Sequence, residues 1–284
     1  MNRVAVRTLT GVSLGLVAGA ALWWEDRTGT GRVVLAVGVL LSALALVELT
    51  RMFVDKSFLL VGLGALLFTA WRLEALGVFD APALLRELGL VLGFGLALAL
   101  AALAVRRWFP PGRLPLLARP VLATWIVFPL LGLMPFTVVY GTKGVLALVL
   151  LSKLGDVAGY FVGRAIGRSH PFPSISPGKT TAGCVASLVV GSLTGVAVVA
   201  AGLLHGTLLA GFVAGAFTNL CAQAGDLFES FIKRRAGVKD SSRLLGASGG
   251  VLDVVDSLLF TLPFALFAWP IWFSPDWFTQ CWKF

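Results

Sequence analysis

Residues 144–162 read GVLALVLLSKLGDVAGYFV, an apolar segment interrupted by Lys153 and Asp156. A helix needs about 20 mostly apolar residues to cross the hydrocarbon core of a bilayer. Ionisable side chains inside such a helix are costly and mark functional sites. Lys153 and Asp156 lie three positions apart and share a helix face, where they either neutralise each other or line a polar cavity. The segment therefore predicts a membrane helix that contributes to a site.

The rest of the chain repeats this apolar pattern. Of its 284 residues, 58% are apolar and 13% are charged, whereas an average soluble domain is about 45–50% apolar and a quarter charged. We therefore predict an all-α integral membrane protein, and we exclude disordered, fibrous and ordinary soluble proteins. About nine transmembrane helices are predicted, at residues 8–24, 33–49, 57–72, 88–105, 121–140, 144–162, 184–204, 207–225 and 251–273.

The formal charge of +9 is explained by membrane topology rather than by nucleic acid binding. With the N-terminus cytoplasmic, the predicted inner segments carry 16 Lys and Arg and the outer segments carry 6, as the positive-inside rule requires. This distribution predicts a multi-pass protein of the cell's inner, cytoplasmic membrane, with the C-terminus outside and no nucleic acid partner.

Polar residues divide the chain into two regions. Residues 1–150 are mostly Leu, Ala, Val and Gly and are interpreted as scaffold helices. Residues 151–284 hold most of the polar residues that a membrane protein has no structural need to keep, and they are interpreted as a catalytic region. The polar site is therefore expected in the C-terminal half. Cysteine is present 3 times, without CxxC spacing, and histidine only 2 times, which disfavours a disulfide framework and a histidine-rich metal site.

A glycine- and proline-rich loop follows the segment that opens this section. It carries Arg164, Ser176, Lys179 and Thr180, and its cations, hydroxyls and backbone N–H groups suit a polyphosphate. Residues 178–180 resemble the end of a P-loop, but Pro173 occupies the place of the first P-loop glycine and no strand precedes it. We therefore predict phosphate binding without a P-loop.

A third polar cluster covers residues 223–256. Asp253 and Asp256 lie three apart at the start of an apolar helix with no basic residue within the next two turns, so cations from elsewhere are expected to pair with them. The alternative is that Asp253 only caps the helix. Carboxylates near phosphate-binding cations suggest Mg²⁺ and transfer of a phosphorus group at the cytoplasmic face. A phosphate monoester is mostly dianionic at neutral pH and needs no general base.

Three blocks of this sequence resemble the phosphatidate cytidylyltransferase (CDP-diacylglycerol synthase) family: residues 155–180, residues 223–230 (QAGDLFES) and residues 230–256, which include SFIKR, KDS and GGVLDVVD. The three blocks keep the order and spacing of that family. Ala182, Ser248 and Val254 depart from its usual residues. The N-terminal half resembles the family only as a multi-span apolar region.

The resemblance implies a Mg²⁺-dependent enzyme that makes CDP-diacylglycerol and pyrophosphate from CTP and phosphatidate. Whether a second cation joins Mg²⁺ is left open. Its site would face the cytoplasm and open sideways to the lipid bilayer. The implied metal ligands are Asp226, Asp253 and Asp256. The implied catalytic residues are Asp226, Asp253, Lys179 and Lys239. The implied substrate-binding residues are Asp156, Arg164, Ser176, Thr180, Ser230, Lys233 and Asp240.

Other readings stay open from the residues alone. A CTP-dependent prenol or dolichol kinase, or a cytidylyltransferase of an isoprenoid lipid, would use similar chemistry on another lipid. A transporter also contains broken polar helices, although no two-halved repeat is visible here. Gly211 and Gly215 suit either internal packing or the face of a homodimer.

Overall fold

The computed structural model describes residues 3–29, 31–55, 57–60, 62–65, 118–246 and 249–273. These residues form helices joined by turns, with no strand among them. The helices are α1 (Arg3–Thr28), α2 (Arg32–Phe53), α3 (Ala118–Leu131), α4 (Leu133–Ile166), α5 (Thr181–Ala200), α6 (Leu208–Arg235), α7 (Val251–Val255) and α8 (Leu258–Phe273).

Within the described ranges, 5 helical stretches are long and apolar enough to cross a membrane: residues 32–53, 119–166, 181–200, 208–235 and 251–273. The predicted all-α membrane fold is thereby confirmed. The predicted span 88–105 and half of the span 57–72 lie outside the described residues. The count of nine spans and the cytoplasmic N-terminus stay predictions.

Residues 119–166 form a stretch of 48 residues, about 70 Å of helix, which is more than one bilayer thickness. A backbone break explains this length, because Gly141 has φ 67° inside α4. That left-handed conformation suits glycine, which has no Cβ to clash. The break falls between the predicted spans 121–140 and 144–162.

The described residues form two compact units, whose bounds are given along the whole chain. Unit 1 contains residues 1–138 and 232–255, and unit 2 contains residues 139–231 and 256–284. The predicted division into a scaffold over residues 1–150 and a catalytic region over residues 151–284 concerns function and stays a prediction.

In unit 1, α2 packs against α1, α3 and α7. A Cβ at Gly38 of α2 would lie 2.5 Å from the backbone oxygen of Leu130, so glycine permits the close approach of α2 and α3. The Glu25 carboxylate at the end of α1 accepts the N–H groups of Val33 and Val34 at 3.0 and 3.3 Å. These N–H groups open α2 and have no partner inside the helix, so Glu25 caps it.

In unit 2, glycines bring α4, α5 and α6 into contact. A Cβ at Gly159 of α4 would lie 2.9 Å from the backbone oxygen of Gly183 on α5. Gly211 and Gly215 of α6 meet the backbone of Gly195 and Gly191 on α5 in the same way. The Gly211 and Gly215 pattern therefore serves internal packing here, and a homodimer stays a prediction.

The apolar stretch 251–273 is divided rather than continuous. α7 ends at Val255 and α8 begins at Leu258, and Asp256 lies in the turn between them. The carbonyl of Ser257 accepts the N–H groups of Phe260 and Thr261 at 3.3 and 3.0 Å, which starts α8. The sequence had predicted that Asp253 and Asp256 lie on one continuous helix. That prediction is wrong, because the helix is interrupted after Val255.

Candidate active site

Unit 2 contains a cavity of about 510 Å³ bounded by α4, α5, α6 and the loop before α5. This volume is within the usual range of small-molecule sites, about 300–1,000 Å³. The residues predicted for the site that line the cavity are Asp156, Arg164, Lys179, Thr180 and Asp226. Residues far apart in the sequence thus meet around one polar cavity, and of the two alternatives for Asp156 the structure favours the cavity lining.

The loop before α5 is held by its own hydrogen bonds. The Thr180 hydroxyl accepts the N–H of Gly183 at 3.1 Å and caps α5. The N–H of Lys179 donates to the carbonyl of Ser176 at 3.2 Å, which closes a turn. Because the backbone of this turn is fixed, the Lys179 side chain is directed across the cavity to α6, where its Nζ lies 3.2 Å from Oδ2 of Asp226.

The Asp226 side chain lies near that of Asp256, close enough for the two carboxyl groups to interact. A glycine explains the approach: a Cβ at Gly225 would lie 2.6 Å from the backbone oxygen of Asp256. Asp256 in turn pairs with Lys153, whose Nζ is 3.3 Å from Oδ1. The order Lys179, Asp226, Asp256, Lys153 is a row of two carboxylates with a lysine at each end, which we call the charge row.

A second polar cluster lies in unit 1. Nζ of Lys233 is 2.5 Å from Oδ1 of Asp253, and the side chains are only 12% and 11% exposed. Oδ2 of Asp253 accepts the N–H of Gly250 at 2.7 Å and the hydroxyl of Ser241 at 2.6 Å. Asp253 therefore does cap α7, as one alternative predicted, and it forms a buried ion pair as well.

The expectation that cations from elsewhere in the sequence pair with Asp253 and Asp256 is confirmed, because Lys233 and Lys153 supply them. Lys239 and Asp240 lie exposed in the loop after α6, and Ser230 is half-buried on α6. Arg164 is exposed at the end of α4 and donates to the Tyr160 hydroxyl at 3.1 Å. The catalytic, substrate-binding and metal-binding roles implied for all of the site residues stay predictions.

Glu48 is a polar residue that sequence reasoning missed. It is 3% exposed on α2 and accepts the hydroxyl of Ser242 at 2.7 Å. It also lies 2.9 Å from the hydroxyl of Ser241, whose single proton is shared between Glu48 and the nearer Asp253. It also accepts the N–H groups of Val251 and Leu252, each at 2.9 Å. An acidic residue in a predicted span was the available signal, but its position at the end of span 33–49 suggested an interfacial charge.

The residues of the charge row fit a magnesium ion completed by substrate. Among the described residues, no group of three or more His, Cys, Asp or Glu side chains is arranged to hold a metal ion. Mg²⁺ is usually bound by one or two carboxylates together with phosphate oxygens and waters. The neighbouring carboxylates of Asp226, which lines the cavity, and Asp256, which is buried and not among the lining residues, match that requirement in number and type.

Comparison with known proteins points to one family. A family model described as the cytidylyltransferase family matches residues 5–272. The phosphatidate cytidylyltransferase of Helicobacter pylori is 38% identical over 121 residues, which cover 43% of this chain and 45% of that protein. That of Aquifex aeolicus is 39% identical over 110 residues, which cover 39% of this chain and 40% of that protein. That of Mycobacterium tuberculosis is 36% identical over 149 residues, which cover 52% of this chain and 44% of that protein.

The matched region spans less than half the length of each of these relatives, at 45%, 40% and 44%. The family match is much longer, since it extends from residue 5 to residue 272. It confirms the family-level resemblance of the three polar blocks. The chain belongs to the cytidylyltransferase family.

Proposed function

We propose that this membrane protein is a phosphatidate cytidylyltransferase, which joins CTP and phosphatidate into CDP-diacylglycerol and pyrophosphate. The observation that carries the proposal is the cavity of about 510 Å³ lined by Asp156 and Asp226 together with Lys179 and Arg164. Acidic groups beside cations are what a triphosphate with its metal ion requires. The names of the relatives support phosphatidate as the second substrate.

The cations would bind the triphosphate. Arg164 offers a planar fork of N–H donors at the exposed end of α4, which suits phosphate oxygens. Lys179 would exchange its contact with Asp226 for a phosphate oxygen, as its position on the cavity wall permits. Ser176 and Thr180 belong to the same loop, and Ser230, Lys233, Lys239 and Asp240 are assigned to substrate binding by the family resemblance alone.

Asp226 and Asp256 would hold Mg²⁺. When bound, this ion would neutralise the charge of the phosphates and orient the reacting oxygens. A second cation is compatible with this assignment. Asp253 is a proposed ligand from the family resemblance. Its carboxylate now contacts Lys233, Ser241 and Gly250, so it would have to release Lys233 to free Oδ1 for a metal.

The reaction is a substitution at the α-phosphorus of CTP. An oxygen of the phosphatidate phosphate forms the new bond to that phosphorus, and the bond to the bridging oxygen of the β-phosphate breaks, so pyrophosphate leaves with the electron pair. The attacking phosphate is already mostly dianionic. The residues of this chain therefore need to bind and align two anions, which fits a cavity with Lys179 and Arg164 on its wall.

The lipid would reach the site from the bilayer while the nucleotide enters from the cytoplasm. Tyr160 lines the cavity, and Tyr160 and Phe161 are 58% and 65% exposed on α4. Exposed aromatic side chains on a membrane helix suit contact with lipid. The acyl chains would then stay in the bilayer of the inner membrane, with the phosphate at the cavity.

The test is an assay of the purified full chain in detergent with CTP, phosphatidate and Mg²⁺. We expect CDP-diacylglycerol and pyrophosphate, and a loss of at least about 100-fold in Asp226→Asn and Asp256→Asn. Lys143→Met, which removes an exposed cation of α4 distant from the charge row, is the matched control and retains activity. Absence of the lipid nucleotide, or phosphorylation of a prenol instead, would refute the proposal.

A further inference from the structure

Lys153 is the member of the charge row that the proposed reaction does not use. Its Nζ lies 3.3 Å from Oδ1 of Asp256, and Asp226 and Asp156 also act electrostatically on this ammonium group. Lys179 is among the described residues that line the cavity, whereas Lys153 is not. The two lysines are therefore placed differently with respect to an entering substrate.

The backbone beside Lys153 is pinned. Ser152 is fully buried, and its hydroxyl lies 3.2 Å from the hydroxyl of Thr261 on α8. The same hydroxyl donates to the carbonyl of Leu148 at 2.7 Å. This contact holds α4 and α8 together near Lys153 and Asp256, and the ion pair between these two residues involves neither the side chain nor the backbone of Lys179.

A fixed cation beside two carboxylates has a consequence for metal binding. Two neighbouring carboxylates repel each other unless a cation or a shared proton compensates them. Lys153 supplies part of that compensation through its contact with Asp256, and it repels any further cation at short range. A divalent ion would therefore bind this pair weakly by itself and more strongly when a triphosphate adds negative charge and ligands.

We propose that Lys153 is a cation held beside Asp256 and Asp226 that weakens divalent-ion binding to the free protein and so makes tight binding depend on the nucleotide. The inference rests on the proposed function, because that function assigns the metal ion to Asp226 and Asp256. It adds an order of events: the divalent ion enters bound to the nucleotide triphosphate instead of residing in the free protein.

The experiment measures Mn²⁺ binding to the purified full chain without CTP or phosphatidate, by following free Mn²⁺ with electron paramagnetic resonance. Lys153→Met keeps a side chain of similar length without the charge. We expect it to lower the Kd of Mn²⁺ by about tenfold or more. Lys153→Arg, which restores a cation, is expected to bind Mn²⁺ as the unaltered protein does. Lys143→Met, the matched loss of one exposed cation from α4, leaves the Kd unchanged.

Addition of CTP supplies a second readout that a purely structural role would not change. CTP should increase the Mn²⁺ affinity of the unaltered protein much more than that of Lys153→Met. A Kd that stays equal or rises in Lys153→Met, with an unchanged melting temperature, overturns the inference. Lys153→Gln takes its place if Lys153→Met does not fold, and the same Kd comparison applies to it.

Failure of this inference is distinguishable from failure of the proposed function. Asp226→Asn and Asp256→Asn should abolish Mn²⁺ binding whatever Lys153 does. If they abolish it and Lys153→Met has no effect, only the role of Lys153 is refuted. If they leave Mn²⁺ binding intact, the metal assignment of the proposed function is refuted, and the inference falls with it.

Discussion

The carboxylate of Glu48 accepts the backbone N–H of Val251 at 2.9 Å, across 203 positions of the sequence. Val251 opens α7, and the first N–H groups of a helix have no partner within it. Glu48 thus supplies from α2 what a capping residue usually supplies locally. The same carboxylate accepts the hydroxyl of Ser242 at 2.7 Å, so one buried group holds both the loop before α7 and the start of that helix.

Replacing Glu48 with Ala is expected to destabilise the protein by about 3 kcal/mol, because several buried donors lose their acceptor at once. Thermal unfolding in detergent measures the loss. Glu48→Gln keeps one acceptor oxygen and should be less destabilised, whereas Asp240→Ala removes an exposed acid from the same loop and should change little. An unaltered melting temperature in Glu48→Ala would contradict this role.

Glu48 also shows what the sequence could not reveal. The cost of an ionisable side chain inside an apolar helix applies to Glu48 as it does to Lys153. At the end of an apolar run, however, a carboxylate has two readings, since it can face water at the interface or serve a distant segment. The choice depends on contacts with Ser241 and Val251, which only the folded chain brings close.

The polar blocks of the C-terminal half were easier to predict, because the polar residues that mark each block lie close together in the sequence. The sequence correctly predicted that Asp253 and Asp256 need cations from elsewhere. It could not say which ones, since Asp256 finds Lys153 across 103 positions and Asp253 finds Lys233 across 20. The break after Val255 was missed, although Asp256 and Ser257 stand at it and both residue types favour the start of a new helix.

The ion pair of Lys233 and Asp253 should behave as a buried pair. Its side chains are 12% and 11% exposed, so removal of one partner leaves a charge with little access to water. We expect Lys233→Met to destabilise the protein by about 3 kcal/mol. The double variant Lys233→Met with Asp253→Asn should lose less than the sum of the two single variants, as measured by thermal unfolding. Additive losses would show that the pair is not energetically coupled.

Asp55 supplies a prediction of pH dependence outside the membrane-spanning helices. The backbone N–H of Ser57 donates to its Oδ1 at 2.9 Å, and Arg119 lies 2.9 Å from its Oδ2. The N–H and hydroxyl of Ser57, followed by the charge of Arg119, lower the pKa of Asp55 below its ordinary range. A carboxyl with a lowered pKa in the folded state stabilises that state above its unfolded pKa, about 3.9.

The stabilising effect of Asp55 should therefore disappear as the pH falls below about 4, through the pKa of the folded state. The measurement is the melting temperature of the unaltered protein and of Asp55→Asn between pH 7 and pH 3. We expect a higher melting temperature for the unaltered protein at pH 6, and convergence of the two at the acid end. A difference that is constant over this range would exclude the carboxylate charge as its cause.

Lys179 should control the use of CTP more than the use of the lipid. Its Nζ lies 3.2 Å from Oδ2 of Asp226 on the cavity wall, and it is the lysine of the charge row that can reach a substrate there. Hydrogen bonds between an ammonium group and phosphate contribute about 1.5–3 kcal/mol. We expect Lys179→Ala to lower kcat/KM for CTP by about 100-fold, with a much smaller change in KM for phosphatidate.

Lys179→Arg should recover part of the loss, and Lys143→Met should show none. An unchanged kcat/KM for CTP in Lys179→Ala would mean that Lys179 serves only as the partner of Asp226, and the triphosphate would then have to bind without it.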